Sequence, residues 1–268
     1  MNMIIRLGDI GAHVGDLQRR LYMIGHKVEQ TNVYDQSTRA VVRRVQARAG
    51  LVVDGIYGPK TEAAVKGQET GRLLRQSALV EAADQLDVDL ASVMAVNEVE
   101  SRGQGFVRDN LPVILFERHI FWRQLVARKI DPRPFAQKYP GVVSQARGGY
   151  AGGISEYTRM GVAKSICAPA AFESCSWGLF QIMGFHWESL GFESVESFVD
   201  FQRESEDNQL RTFVRFILQD KELHRALKQK KWSTFARLYN GPAYDENLYD
   251  VKLARAYKRH IDDMTEAS

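Results

Sequence analysis

A chain of 268 residues exceeds the roughly 100–150 residues of a typical domain, so two domains are expected. With 44% hydrophobic and 26% charged residues it has the composition of a globular protein and not of a disordered one. The net charge of +3 is too small to predict a nucleic-acid partner, and none is expected.

Two cysteines, Cys167 and Cys175, cannot staple a scaffold and have no Cys or His pair at metal-ligand spacing beside them. They are expected to be free thiols, with no metal and no cofactor in the protein. The opening stretch MNMIIRLGDIGAHV lacks the basic region and the apolar run of a signal peptide. No stretch approaches the roughly 20 apolar residues of a membrane span.

The first predicted element carries Val14, Leu17, Leu21 and Ile24 at helical spacing, with Gly25 placed to end it. Residues 33–43 (VYDQSTRAVVR) then align with residues 56–66 (IYGPKTEAAVK) at an offset of 23, sharing Tyr34/Tyr57, Thr38/Thr61, Ala40/Ala63 and Val42/Val65. In each copy a turn, Asp35-Gln36 or Gly58-Pro59, precedes a helix start. Three helices in about 65 residues are the expected module. Gly67 to Gly71 (GQETG) is polar and glycine-flanked, which puts a linker at 69–71 between domains at 1–68 and 72–268.

Residues 6–66, above all the run GLVVDGIYGPKT at 50–61, closely resemble the peptidoglycan-binding domain of cell-wall hydrolases. The resemblance implies a wall binder, and Asp35, Thr38, Asp54, Tyr57 and Thr61 are its candidate substrate-binding residues. Asp54-Gly55 and Gly58-Pro59 are turn formers that would hold Tyr57 and Thr61 together at a helix start. The competing role is structural, with Asp54 and Thr61 as caps and Tyr57 as a core plug. Through Gln68 ten basic residues outnumber six acidic ones, and the remaining 200 residues carry −1. Arg39, Arg43, Arg44 and Arg48 would crowd one side of a helix, suited to weak contact with an anionic envelope.

From Arg72 onward helices dominate the pattern. Leu73, Leu74, Val80, Ala83 and Leu86 fit one helix. A second starts at Asp87-Val88-Asp89, runs through Leu90, Val93, Met94, Val96 and Asn97 into Glu98-Val99-Glu100, and stops at Gly103 or Gly105. A carboxylate in that last turn meets the negative end of the helix dipole, which raises its pKa and suits a general acid. Glu98 and Glu100 are about 200° apart around the helix, so only one can face a cleft. Further on, Gln181 interrupts the apolar stretch Ser176–Met183 and must find hydrogen-bond partners, while Tyr239-Asn240 sits at a helix tip before Gly241-Pro242.

In this order Glu100-Ser101, Gly178-Leu179-Phe180-Gln181-Ile182 and Tyr239-Asn240-Gly241 resemble the three motifs of the lysozyme-like superfamily. With the block Asn110 to Phe121, the chain resembles the modular N-acetylmuramidase endolysins of phages that infect Gram-negative bacteria. The resemblance implies a mainly α enzyme, a small three-helix binding module followed by a larger lysozyme-like catalytic domain. It also implies cleavage of the β-1,4 bond between N-acetylmuramic acid and N-acetylglucosamine, causing host lysis.

Glu100 matches the catalytic acid, favoured over Glu98 by its pairing with Ser101. Gln181 and Tyr239 match cleft residues that orient it, and Asn240 matches a sugar-contacting position. Ser101 and Ser176 are further substrate-binding candidates. Glycosidases commonly use two carboxylates, and Glu117 is the candidate for the second, an ion pair with Arg118 or His119 being its competing role. The alternatives are a lytic transglycosylase giving 1,6-anhydro products and a catalytically inert wall binder. The protein is expected to be a monomer that waits in the host cytoplasm until released to the periplasm.

His119, His186 and His224 lack the spacing of metal ligands. The glycines at 148–153 do not have dinucleotide-binding spacing and predict a mobile loop at the cleft mouth. Residues 221–260 carry +6, and a helix over 244–260 would expose Lys252, Arg255, Lys258 and Arg259 to an anionic surface.

Overall fold

The computed structural model describes residues 3–100, 104–108, 111–241 and 247–266. As expected, it is mainly helical. The first half runs α1 (Ala12–Met23), α2 (Gln36–Arg48), α3 (Pro59–Val65), α4 (Gln76–Leu86), α5 (Leu90–Glu100), β1 (Phe106–Arg108), β2 (Leu111–Pro112), β3 (Ile114–Phe116), α6 (Arg118–Ala127) and α7 (Arg133–Lys138). The second runs α8 (Ser155–Ile166), α9 (Ala168–Glu173), β4 (Cys175–Trp177), β5 (Ile182–Met183), α10 (Val195–Glu204), α11 (Glu206–Gln219), α12 (Lys221–Lys228), α13 (Trp232–Asn240) and α14 (Tyr249–Glu266). Packing divides the chain into two compact units, Met1–Val99 with Tyr244–Ser268, and Glu100–Ala243. This is a different division from the compositional boundary at 69–71, because α4, most of α5 and α14 pack with the N-terminal helices.

The core of the first unit gathers Ile5, Val14, Leu17, Leu21, Tyr34, Val41, Val42, Val45 and Tyr57. Around it, the 23-residue repeat has a physical counterpart. Gln18 Nε2 donates to Thr31 Oγ1, Val33 O and Thr38 Oγ1 at 2.9–3.1 Å, and its Oε1 accepts from Asn32 N–H at 3.0 Å. Gln46 Nε2 does the same with Asp54 Oδ1, Ile56 O and Thr61 Oγ1 at 2.7–3.1 Å, and its Oε1 accepts from Gly55 N–H at 2.9 Å. Each buried amide thus satisfies a turn whose backbone cannot reach a ladder. Gly55 is required there, since its φ is +71° and a Cβ would press on Arg39.

Two helix readings change. Leu73 and Leu74 precede α4 instead of lying on it, Val80 faces solvent, and the buried stripe is Ala78, Leu79, Ala82, Ala83 and Leu86. The C-terminal helix begins at Tyr249 and runs to Glu266. Its residues at 244–246, Gly103 as a helix stop and Pro242 lie outside the described residues. Asp89 starts α5 as expected, accepting from Ser92 N–H at 2.8 Å, while Asp87 ends α4 with a left-handed φ of 50°.

In the second unit β3, β4 and β5 form an antiparallel sheet with Ile114 opposite Trp177, Leu115 opposite Ser176, and Ser176 opposite Met183. Period-2 alternation puts Ile114, Trp177 and Ile182 on one buried face and Leu115, Ser176 and Met183 on the other. Behind β3 lies a buried ion pair. Glu156 accepts from the backbone N–H of Phe116, Ala151 and Gly152 at 2.6–3.1 Å and binds Arg159 at 2.6 Å. Arg159 in turn donates to Phe116 O and Gly141 O.

Arg118 donates to Ala146 O and Arg147 O at 2.9 Å. The glycine-rich loop at 148–153, expected to be mobile, is therefore tethered at 146–147 by one cation and at 151–152 by one carboxylate. Cys167 and Cys175 are free thiols, and burial pushes the Cys175 thiol well above its usual pKa. No helix among the described residues is long and apolar enough to cross a membrane.

Gln46→Leu leaves Gly55 N–H and Ile56 O without this partner and should cost about 2–4 kcal/mol, read as a lowered midpoint in denaturant unfolding of the full chain. A shift no larger than that of the exposed Gln68→Leu control would refute the brace. Burial alone would raise the Glu156 pKa, but three backbone N–H groups and Arg159 hold it below the ordinary 4.5. Its stabilisation is therefore complete above pH 4.5 and lost as pH falls through the lower folded value. In Glu156→Gln that part of the acid-unfolding curve should flatten, and an unchanged slope would contradict it.

Candidate functional site

The α5 helix is buried on every side from Ala91 to Val96, and apart from the buried Ser92 its polar residues come in the last turn. There the two glutamates part company. Glu98 faces α14, where Arg259 forms an ion pair with Oε1 and His260 Nε2 lies 3.0 Å from Oε2. Burial would raise its pKa, but those two neighbours hold it low, so Glu98 is held as a carboxylate.

Glu100 ends the helix and meets a different set of groups. Asn240 Nδ2 stands 3.5 Å from its Oε1, and its charge reaches the Tyr239 hydroxyl. Burial in the first place, then Glu100, push the Tyr239 pKa well above 10, so the phenol stays protonated with one hydrogen to donate.

That bond goes to Phe180 O at 2.7 Å. The Tyr239 ring stacks on Phe235 at 5.7 Å and meets Phe213 and Phe216 edge-on, while Phe180 stacks on Phe213 at 4.5 Å. This aromatic cluster fixes the turn from Gly178 to Gln181. Gln181 itself has φ +50°, a left-handed conformation that a non-glycine residue holds only when its surroundings enforce it.

They do so through its side chain. Gln181 Nε2 donates to Gly178 O at 2.8 Å and Val113 O at 3.3 Å, and its Oε1 accepts from Ser176 Oγ at 2.7 Å. Val113 O also accepts from Gly178 N–H, and Val113 N–H donates to Gly105 O. Three segments with no regular ladder between them meet at this one peptide.

Glu117 follows β3 and so shares the sheet face of Leu115 and Ser176. Its side chain is 16% exposed, accepts from Tyr150 Oη at 2.9 Å and faces His119 Nδ1 at 3.2 Å. Burial lowers the His119 pKa below 6.5, with Glu117 opposing and Arg147 and Arg123 adding to the fall. The pairing weighed for Glu117 at the sequence level is thus present with His119, whereas Arg118 goes to loop carbonyls. The contribution of Tyr150, from the glycine-rich loop 33 residues away, carried no sequence signal.

The structure brings together Glu100, Asn240 and Tyr239, and separately Ser176 and Gln181. Ser101 lies outside the described residues. In the first unit Thr38, Tyr57 and Thr61 keep 1%, 4% and 3% exposure, so they build the module and do not face a ligand. Asp35 caps α2 by accepting from Thr38 N–H, and Asp54 is held by Gln46 and Ile56 N–H, with burial raising its pKa.

The basic side of α2 is also reduced. Arg39 pairs with Asp263 and Arg43 is half-buried, leaving Arg44 and Arg48 exposed. What reasoning from the sequence missed are Gln18 and Gln46. Their signal was a polar residue on the buried stripe directly after Leu17 and Val45.

A profile of N-acetylmuramidases matches residues 89–261, and one of peptidoglycan binding domains matches residues 11–65. The crystal structure of a Burkholderia AP3 phage endolysin is similar with a TM-score of 0.91 and 51% identity, over 97% of this chain and 100% of that one. The N-acetylmuramoyl-L-alanine amidase CwlL of Bacillus licheniformis is 38% identical over 65 residues, 23% of this chain and 18% of the amidase. A second amidase of that organism is 37% identical over 70 residues, 25% of this chain and 20% of its own length. The chain thus spans about a fifth of these curated relatives. The profile match over 89–261 and the likeness to the phage endolysin along nearly the whole chain make this protein a member of the N-acetylmuramidase family that also carries a peptidoglycan-binding domain.

Proposed function

We propose that this protein is a peptidoglycan muramidase of the endolysin type, cleaving the β-1,4 bond between N-acetylmuramic acid and N-acetylglucosamine with Glu100 as general acid. The observation that carries the reading is the different surroundings of two glutamates on one helix turn: Glu98 is held by Arg259 and His260, whereas Glu100 meets the Asn240 amide and its charge reaches the protonated Tyr239 hydroxyl. An acid that must protonate a leaving oxygen cannot be held as a carboxylate by a salt bridge, which disqualifies Glu98. Gln181 and Tyr239 orient the cleft, and Asn240, Ser176 and Ser101 contact sugar. Glu117 serves as the second carboxylate from the sheet face, with Tyr150 and His119 fixing its oxygens.

The functional modules are a wall binder over 1–68, a linker at 69–71 and a catalytic domain over 72–268. The enzyme works as a monomer without metal or cofactor, stays in the host cytoplasm until another protein opens the way to the periplasm, and lyses the host from within. Arg44 and Arg48 give it weak attraction to the anionic envelope.

Glu100→Gln should reduce lysis of outer-membrane-permeabilised cells by about 10²-fold or more while circular dichroism and melting stay unchanged. Activity within a few-fold of wild type would remove Glu100 as the acid. Mass spectrometry of the products should show reducing N-acetylmuramic acid ends. Anhydro ends would make the enzyme a transglycosylase, newly freed amines an amidase or peptidase, and an inert wild type a wall binder only.

Reversing both exposed charges, Arg44→Glu with Arg48→Glu, should weaken pull-down on purified sacculi and leave turnover of soluble glycan fragments as it was. Equal pull-down at low salt would refute the electrostatic contact.

A further inference from the structure

The first turn of α11 is a run of polar residues with almost no access to water. Glu206, Asp207, Asn208 and Gln209 keep 1%, 2%, 5% and 1% exposure. Burying such groups is costly unless they bind something, and two of them bind the backbone of the cleft. Gln209 Oε1 accepts from Leu179 N–H at 2.8 Å, and its Nε2 donates to Gly105 O at 3.3 Å and Gln202 O at 3.0 Å. Glu206 Oε1 accepts from Gly105 N–H at 2.7 Å, a charge-assisted bond.

Gly105 lies five residues beyond Glu100, and Leu179 lies two before Gln181. One helical turn therefore grips both the segment leaving the acid and the turn that presents Gln181. The glycines at these points are shaped to the grip. A Cβ on Gly105, whose φ is not in the left-handed region, would overlap Gln209 Oε1 and come within 2.8 Å of Glu206 Cγ. A Cβ on Gly178 would fall 2.6 Å from Gln209 Cδ.

We propose that Glu206 and Gln209 are positioning residues for glycan cleavage, holding the segment after Glu100 and the Gln181 turn at the separation the reaction needs. The proposal rests on Glu100 being the acid. Both side chains are buried against backbone, so they act through the groups they hold and not by touching sugar. A shift of about 1 Å in such a constellation can cost on the order of 10²-fold in rate.

The test measures kcat and KM separately on soluble glycan oligomers with the full chain, alongside thermal unfolding. Gln209→Leu and Glu206→Ala should lower kcat by about 10–100-fold with KM changed by no more than about twofold. Glu206→Gln keeps an oxygen for Gly105 N–H and should recover most of the lost kcat. Gly105→Ala should reproduce the loss, and Gly105→Ala combined with Gln209→Ala should be no slower than the slower single variant, because both act through one contact.

Folded Glu206→Ala, Gln209→Leu or Gly105→Ala with wild-type kcat would overturn the proposal, as would a Glu206→Gln as impaired as Glu206→Ala. Where Glu206→Ala or Gln209→Leu fails to fold, Gly105→Ala decides: a lowered kcat with KM within about twofold upholds the proposal, and wild-type kcat overturns it. Glu100→Gln run in parallel separates the two readings. If it is inactive while the α11 variants are fully active, only the positioning role falls. If it is active, the acid assignment falls and this proposal with it.

Discussion

The candidate site of the second unit depends on satisfying backbone polar groups where there is little secondary structure to do so. The sheet strands are two or three residues long, and residues 105, 113 and 178–181 have no regular ladder among them. Each buried N–H or C=O left unbonded there would cost as much as several good contacts provide. The chain meets this with the Val113 peptide, the Gln181 and Gln209 amides, the Glu206 carboxylate and the Tyr239 hydroxyl. The left-handed Gln181 and the close approach of Gly105 and Gly178 follow from the same demand. Rigidity at the site is thus a by-product of hydrogen-bond satisfaction in a region without long strands.

The first unit solves the same problem twice over. Gln18 and Gln46 each close a turn by presenting one amide to three oxygens and one backbone N–H, and Thr38 and Thr61 exist as inward-facing members of those two networks. Glu156 does it a third time behind β3. A buried polar side chain in this protein is therefore a framework element first. The residues that make the repeat visible are spent on holding its turns.

What could be read from sequence follows from this. Helices with apolar residues at 3.6 spacing were legible in outline: α1, α2, α5 and the tip of α13 lie where periodicity and caps put them. Strands of two or three residues are too short to alternate, and β3 to β5 left only an apolar stretch to read. The helix that ends in Glu100 and the three motif segments were legible because each carries an unusual residue at a helix end or turn.

The supports were not legible. Gln209 looks like an ordinary solvated helix residue, and Gln46 stands out only as a polar residue on a buried stripe, until the facing turn, 30 or 9 residues away, is known to need a partner. The tether of the glycine-rich loop was hidden for the same reason, since Arg118 and Glu156 act at a distance on backbone that has no side-chain signature.

The α14 helix adds an ordering in time. It brings Arg259 and His260 to Glu98, Tyr257 to Asp89 and Asp263 to Arg39, so residues from 249 onward complete a unit whose other helices lie before residue 100. A chain still emerging from the ribosome holds Glu98 without Arg259 and His260. The surroundings of α5 are therefore completed only by chain made 161 residues after Glu98 itself.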